Sequence, residues 1–290
     1  MSNIITIREL IQLGINELKQ VDIETYNLDT YLLLGKVLNK DRVYLIINGD
    51  KEVEEQEKKE YIKLLHMRKD RMPMQYILGN VEFMGLDFLV KDGVLIPRGD
   101  TEVLVEEVLS EIDEEDDINV LDMCSGSGAI GLSIAYYRKN ITVHLVDLYP
   151  IPQEVTVENI KRLNLEKRAR FIKSDLLSEI KKQHLKYDII VSNPPYIKEE
   201  VIDSLMDDVK NYEPHTALSG GEDGLIFYKR IIEECKEVLI GKRILAFEIG
   251  YDQGKDVEQL MYEQGFRNIK IVKDLAGLER TVIGNLPKDY

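Results

Sequence analysis

The sequence predicts an α/β protein: a mostly parallel sheet with helices on both faces, preceded by a small helical bundle and a β-hairpin. Three observations predict it. From residue 118 onward, strand-length apolar runs alternate with helix-length segments, the pattern of a parallel sheet covered on both faces. A glycine-rich stretch, Gly126-Ser127-Gly128, stands between the first of those runs and the helix after it. Ahead of residue 80 the apolar residues recur at helical spacing instead. The 290 residues leave room for about two domains.

Ile7, Leu10, Ile11, Ile15 and Leu18 share one helical face. Leu28, Tyr31, Leu32, Leu34 and Leu38 predict a second, more fully buried helix. Residues 52–70 predict a charged helix with Tyr61, Ile62, Leu64, Leu65 and Met67 on its inner face, and Pro73 ends it. Together they make a bundle over residues 1–79, whose charged outer faces are either solvated or available to a partner. Over 74–96 the apolar runs shorten and are broken by Gly79, Gly85 and Gly93, which predicts a β-hairpin linker at 80–96. The rest, 97–290, is the α/β domain. Asp100 or Thr101 caps its first helix, which turns Val103, Leu104, Val105, Val108 and Leu109 inward. Strands follow at 118–123, 141–146, 169–173, 187–191 and 243–249, with helices at 127–138, 152–163, 224–239 and 255–264. Runs at 268–272 and 280–283 close the chain as an antiparallel edge.

Composition narrows the function classes. Hydrophobic content of 44% and charged content of 31% are ordinary for a soluble globular chain. No apolar stretch approaches the ~20 residues of a membrane span, and the N-terminus lacks the basic-then-apolar pattern of a signal peptide. Cys124 and Cys235 offer neither a disulfide framework nor metal-ligand spacing, so reduced thiols, a cytoplasmic location and no metal are expected. The net charge of −15 disfavours a nucleic-acid substrate and suits a basic protein partner better.

The first predicted strand runs into Asp122-Met123-Cys124-Ser125-Gly126-Ser127-Gly128-Ala129-Ile130-Gly131. Glycines there let a ligand approach the backbone, and the helix behind them presents free amides. Asp147 ends the second strand, where an acid holds ribose hydroxyls. NAD and S-adenosylmethionine both carry a ribose, so both remain open. Two features favour S-adenosylmethionine. Asp122 precedes the glycines, where a carboxylate suits a cation and discourages a pyrophosphate. Asp175 follows the third strand, placed to accept from an adenine amino group, with Leu176 to cover the base.

After the fourth strand comes Asn193-Pro194-Pro195-Tyr196. Two prolines end the strand and stiffen the loop, and Pro194 pushes Asn193 towards extended angles. The Asn193 side chain and the Pro194 carbonyl then form a fixed pair of acceptors, suited to gripping both hydrogens of a planar amino group. A lone Asn-Pro-Pro-Tyr is equally a rigid turn; the acids and glycines upstream give it chemical meaning.

These two motifs resemble those of amino-methylating S-adenosylmethionine enzymes. Further segments resemble the peptide chain release factor glutamine methyltransferases, the PrmC/HemK family. They are Pro73-Met74-Gln75-Tyr76-Ile77-Leu78-Gly79, Leu95-Ile96-Pro97-Arg98 with Thr101-Glu102, Tyr212-Glu213-Pro214 with Ala217-Leu218, Gly221-Glu222-Asp223-Gly224, and Glu248-Ile249-Gly250 with Gln253. The resemblance runs from about residue 70 to the C-terminus. It implies a Rossmann-like methyltransferase domain, S-adenosylmethionine as cofactor, and class-1 release factors as substrate, methylated on the glutamine of their Gly-Gly-Gln motif. The cofactor residues it implies are Asp122, Cys124, Ser125, Gly126, Ser127, Gly128, Asp147, Asp175, Leu176 and Asn193. The catalytic and substrate residues are Asn193, Pro194, Pro195 and Tyr196, with Tyr196 walling the glutamine slot, Phe83 a weaker candidate there, and Arg98 and Glu102 as braces. Cys124 departs from the family's usual glycine, Gly99-Asp100 from a Pro-Glu pair, and Tyr149-Pro150-Ile151-Pro152 from a more polar helix start. The sequence also admits a nucleic-acid base methyltransferase, an enzyme acting on a ribosomal-protein glutamine, and an NAD-dependent dehydrogenase. No nucleic-acid or membrane partner is expected.

Overall fold

Thr6 opens the first helix by a reciprocal cap: its hydroxyl accepts the Glu9 backbone N–H, and the Glu9 carboxylate accepts the Thr6 backbone N–H at 2.8 Å. The computed structural model describes residues 5–288 and divides into two units, Met1–Gly79 with Asp207–Tyr212, and Asn80–Met206 with Glu213–Tyr290. In the first unit α1 (Ile7–Lys19), α2 (Tyr26–Leu38), α3 (Arg42–Ile47), α4 (Glu55–Lys69) and α5 (Met74–Leu78) surround a core of Leu10, Leu18, Leu33, Leu34, Leu45 and Tyr61. Strands β1 (Ile5–Thr6) and β2 (Glu52–Val53) pair antiparallel beside it. The Tyr61 hydroxyl finds a partner in the Leu10 carbonyl at 3.2 Å, as a buried phenol must.

Two expectations for this unit need correction, on the burial of α2 and on the start of α4. Leu28 and Leu32 are exposed, so α2 buries one face only; Leu33 and Leu34 carry its burial. Residues 52–53 are strand, and α4 begins at Glu55. Residues 74–78 form a helix that Gly79 stops at φ +81°, an angle glycine adopts freely.

In the second unit β3 (Asn80–Phe83) and β4 (Leu86–Leu89) form the hairpin. It packs into this unit's core, with Phe83, Leu86 and Phe88 among the buried residues of one sheet face. Phe83 lies edge-on to Phe88 at 6.1 Å and is a core aromatic. Gly99–Thr101 makes a 3-10 turn into α6 (Glu102–Ser110), and neither Asp100 nor Thr101 caps it, since the turn itself continues into the helix. The sheet then builds from β5 (Asn119–Met123), α7 (Ala129–Tyr137), β6 (Thr142–Asp147), α8 (Pro150–Arg162), β7 (Ala169–Lys173), α9 (Ser178–Lys182) and β8 (Tyr187–Ser192). Short helices α10 (Glu199–Ile202), α11 (Asp207–Lys210) and α12 (His215–Leu218) follow, α11 belonging to the first unit. Then come α13 (Ile226–Glu234), β9 (Leu239–Glu248), α14 (Gly254–Glu263), β10 (Arg267–Lys273) and β11 (Glu279–Asn285). The helix predicted at 224–239 is shorter and the strand predicted at 243–249 starts earlier, because a 3-10 turn at Cys235–Glu237 hands the chain directly into β9.

The seven strands lie in the order β10-β11-β9-β8-β5-β6-β7. β5 to β9 pair in parallel, and β11 inserts antiparallel between β9 and β10. Chain order reverses between β5 and β8: from β5 it proceeds outward to β7, then returns to β8 on the other side. Such a reversal leaves a crevice at the carboxyl ends of the strands, where ligands bind in open α/β sheets.

Candidate functional site

A cavity of about 250 Å³ opens there. Each parallel strand from β5 to β8 delivers residues to it from its carboxyl end. After β5 come Cys124 and Gly126; at the end of β6, Asp147, Leu148 and Tyr149; after β7, Ser174, Asp175 and Leu176; after β8, Asn193 and Pro195. Gly93, Val94 and Leu95 from the segment before α6, Val146 and Pro152 flanking the end of β6, Pro214, Thr216 and Ala217 around α12, and Phe227 and Arg230 on α13 complete the wall.

The glycine loop shows why its residue types are needed. Gly126 has φ +54°, and a Cβ placed on it would meet nothing within 4 Å, so the backbone there faces open space. Gly128 has φ +81° and its amide donates to the Ser125 carbonyl at 2.7 Å, tightening the turn into α7. Gly131 permits close packing, since a Cβ there would stand 2.8 Å from that of Asp122. Cys124 also has a positive φ, +56°, which explains why glycine suits this position: the constraint is backbone angle as well as size.

Asp147 is oriented by two amides. Oδ2 accepts from Gly126 N at 3.0 Å and Oδ1 from Tyr149 N at 3.2 Å. Burial pushes its carboxyl above the ordinary range, and these backbone donors hold it down. A carboxylate has about four lone-pair sites, so this one can still accept hydroxyl donors from a ligand.

Asp122 sits differently from its neighbours. It is fully buried and does not line the cavity; Oδ2 accepts the Gly131 N–H at 2.8 Å, and Oδ1 is buried without a partner among the described residues. Burial raises its pKa to about 7 against the pull of the Gly131 amide. Ser125, Ser127 and Gly128 are also buried behind the loop rather than on the wall. Asp175 lines the cavity and pairs with Arg230 at 3.0 Å, while Leu176 is buried beside it.

The Asn193 loop leaves β8 next to the Cys124 loop. Met123 and Ser192 are register partners, and the Ser192 hydroxyl donates to the Met123 carbonyl at 2.7 Å. Asn193 and Pro195 reach the cavity wall; Pro194 is buried. Tyr196 is not on that wall: it packs against the core, with its hydroxyl 3.2 Å from Glu248 Oε1. Arg98 pairs with Glu213 at 2.5 Å and Glu102 accepts the Met84 backbone N–H at 2.6 Å, so both tie the frame together.

Several contributors carried no assigned role in the sequence. Phe227 and Arg230 stand one turn apart on α13, and only the packing of that helix brings them to the cavity. Pro214 and Ala217 belong to a segment that carries the family resemblance, and the packing of α12 brings them to the cavity. Asn159, fully buried on α8, bridges Ser127 O at 2.9 Å and Leu89 O at 3.0 Å and accepts Leu89 N at 2.7 Å, tying the glycine loop to the hairpin.

Two family models match the chain: the PrmC N-terminal domain over residues 9–79 and the methyltransferase small domain over residues 99–212. The release factor glutamine methyltransferase of Clostridium botulinum is 49% identical over 276 residues, 95% of this chain and 98% of its own length. That of Fusobacterium nucleatum is 41% identical, over 93% of this chain and 76% of its own. The chain belongs to the release factor glutamine methyltransferase family. It is therefore an S-adenosylmethionine-dependent methyltransferase. Among solved structures, the catalytic domain of hMettl16 matches with a TM-score of 0.55 at 15% identity, covering 83% of this chain and 86% of that one. A methyltransferase from Pyrococcus furiosus matches at 0.51 and 19% identity, covering 70% and 90%. Both show the methyltransferase fold.

The cavity of this release factor glutamine methyltransferase family member fits its methyl donor. Open space at Gly126 admits a ligand backbone-close, Asp147 offers acceptors for hydroxyls, and Leu176 and Phe227 offer apolar faces for a base. Among the described residues no helix is long and apolar enough to cross a membrane.

Proposed function

We propose that this protein methylates the side-chain amide nitrogen of the glutamine in the Gly-Gly-Gln motif of class-1 release factors, in the cytoplasm. The supporting observation is that the stiff Asn193-Pro194-Pro195-Tyr196 loop brings Asn193 and Pro195 to the same cavity as Asp147 and Gly126. The names of its relatives carry the substrate class.

In this proposal Gly126, Asp147, Asp175 and Leu176 hold S-adenosylmethionine, with Cys124 beside them and Asp122, Ser125, Ser127 and Gly128 supporting the loop from behind. The cofactor supplies an electrophilic methyl group. An amide nitrogen is a weak nucleophile because its lone pair is delocalised into the carbonyl. Asn193 Oδ1 and the Pro194 carbonyl accept its two N–H groups and aim that lone pair at the methyl carbon. Electron density drawn towards nitrogen by these acceptors favours attack; as the N–C bond forms, the methyl–sulfur bond would break with its electron pair going to sulfur, leaving the neutral thioether S-adenosylhomocysteine, and one amide proton would pass to water. Pro195 fixes the loop, and the partly exposed Tyr196 ring walls the slot while its hydroxyl is tied to Glu248.

Labelled S-adenosylmethionine incubated with purified release factor, ribosomes or DNA tests the proposal. Label is expected in the release factor, and replacing the glutamine of its Gly-Gly-Gln motif is expected to abolish it. Label in ribosomal protein, rRNA or DNA with the release factor untouched would place the enzyme's chemistry on another substrate. For the cofactor, Asp147→Ala is expected to weaken S-adenosylmethionine binding by ~1–3 kcal/mol, the scale of a lost charged hydrogen-bond partner. Calorimetry measures it, and NAD is expected to give no heat.

A further inference from the structure

The far end of the Asn193 loop is held by side chains that do not line the cavity. Tyr196 carries three restraints. Its hydroxyl donates to Glu248 Oε1 at 3.2 Å, and its carbonyl accepts from Gln253 Nε2 at 3.0 Å. Its main chain is also crowded by two glycines. A Cβ on Gly224 would stand 2.5 Å from the Tyr196 carbonyl oxygen, and one on Gly220 would stand 2.8 Å from the Tyr196 Cα.

Gln253 uses its whole amide on main chain. Nε2 donates also to Gly224 O at 3.3 Å, and Oε1 accepts Gly250 N at 2.9 Å. Gln253 is 5% exposed and Glu248 3%. Glu248 Oε2 makes no well-formed hydrogen bond among the described residues; the Thr101 hydroxyl is the polar group beside the carboxylate. The nearby positive charge is Arg280, which pairs with Asp274 at 3.1 Å and Asp100 at 3.2 Å while its field reaches Glu248 and Tyr196. Burying a carboxylate this way is costly, and an apolar side chain of similar volume fills such space at least as stably. Stability alone therefore does not account for an acid at this position. What the acid and the amide share is one target, the residue three places after Asn193.

We propose that Glu248 and Gln253 are positioning residues for methyl transfer. Through Tyr196 they hold Asn193 Oδ1 and the Pro194 carbonyl at the spacing the target amide needs. The inference rests on the role given above to the Asn193–Pro194 pair. Ser192 anchors the near end of the loop on Met123, and Tyr196 anchors the far end, so the two acceptors between them need not reorganise when the amide arrives. Loss of an anchor acts on turnover more than on binding, because misplacement of about 1 Å costs on the order of 10²-fold in rate.

The test uses the full chain with S-adenosylmethionine and release factor, measuring single-turnover rates, cofactor affinity by calorimetry, and melting curves. Tyr196→Phe, Glu248→Leu and Gln253→Met are each expected to slow transfer by on the order of 10²-fold, with cofactor affinity unchanged. Glu248→Gln keeps an acceptor for the tyrosine hydroxyl and is expected to restore most of the rate. The Tyr196→Phe and Glu248→Leu losses should not add in the double variant, since both break one contact. Should Glu248→Leu not fold, the Tyr196→Phe and Gln253→Met rates decide. Variants that melt lower yet turn over at the wild-type rate per folded molecule overturn the proposal, as does a Glu248→Gln rate no better than Glu248→Leu. Asn193→Ala is run alongside: if it is slow while the anchor variants are fast, only the positioning role fails. If Asn193→Ala itself is fast, the assignment of the loop fails with it.

Discussion

Asn193→Ala is expected to lower kcat by on the order of 10²-fold or more while leaving the melting curve in place. The residue lies beyond the end of β8, partly exposed on the cavity wall, so its loss opens no core void. Removing one of two positioned acceptors leaves the target amide held by the Pro194 carbonyl alone and free to swing. Asn193→Asp is more discriminating. It keeps the size and one acceptor but adds a negative charge in a cavity built for a cation. Cofactor binding is expected to tighten and transfer to slow, because a better-held ground state does not lower the barrier. If the loop were only a turn, both variants would melt lower and turn over normally. Single-turnover rates and melting curves on the same preparations separate these outcomes, and wild-type rates for both variants would remove Asn193 from the mechanism.

Asp122→Asn is expected to remove a pH dependence of stability. Burial is the main cause that raises the Asp122 carboxyl to about 7, with the Gly131 amide opposing it. The folded pKa therefore lies above the unfolded value of about 3.9. The stabilising contribution is fully present below that unfolded value and is lost as pH rises through about 7. At one pKa unit per 1.36 kcal/mol, the loss between pH 4 and pH 8 is about 4 kcal/mol at most. Asparagine keeps an acceptor for the Gly131 N–H and cannot ionise, so the variant should show this component flattened. Its own buried N–H₂ adds a cost of ~1–3 kcal/mol that does not change with pH. Denaturant melts from pH 4 to pH 8 read the difference in slope; parallel wild-type and variant profiles would show that Asp122 stays charged throughout. A cationic ligand favours the ionised form, so wild-type affinity for S-adenosylmethionine should also rise through about pH 7. The variant should lack that rise.

The family's two motifs were legible because each is local. Strand tips, glycine turns and proline stops are set by residues adjacent in the chain. Asp147, Asp175 and Asn193 could be placed at the ends of successive strands from apolar runs alone. Asp122 was legible as an acid at a strand tip, but its side chain turns under α7 to Gly131, since strand alternation and the closeness of that helix send it inward. Leu28 and Leu32 looked like core because helical spacing marks a face without saying whether anything covers it. The Cys124 backbone angle was invisible because only a turn's actual path sets φ.

By itself, the sequence determined the α/β class, the order of elements around the site and the chemistry of the strand-tip loops. All of these follow from periodicity and from the backbone habits of glycine and proline. Tertiary structure alone decided which distant groups meet. It brought Arg230 to Asp175 across 55 residues, Asn159 to Leu89 across 70, and Glu248 to Tyr196 across 52. It also placed β5 beside β8, so that the Cys124 and Asn193 loops share one cavity. The physical reason is that such contacts arise from packing whole elements together. The free energy that selects them is spread over the buried core and is not written in any short stretch of residues.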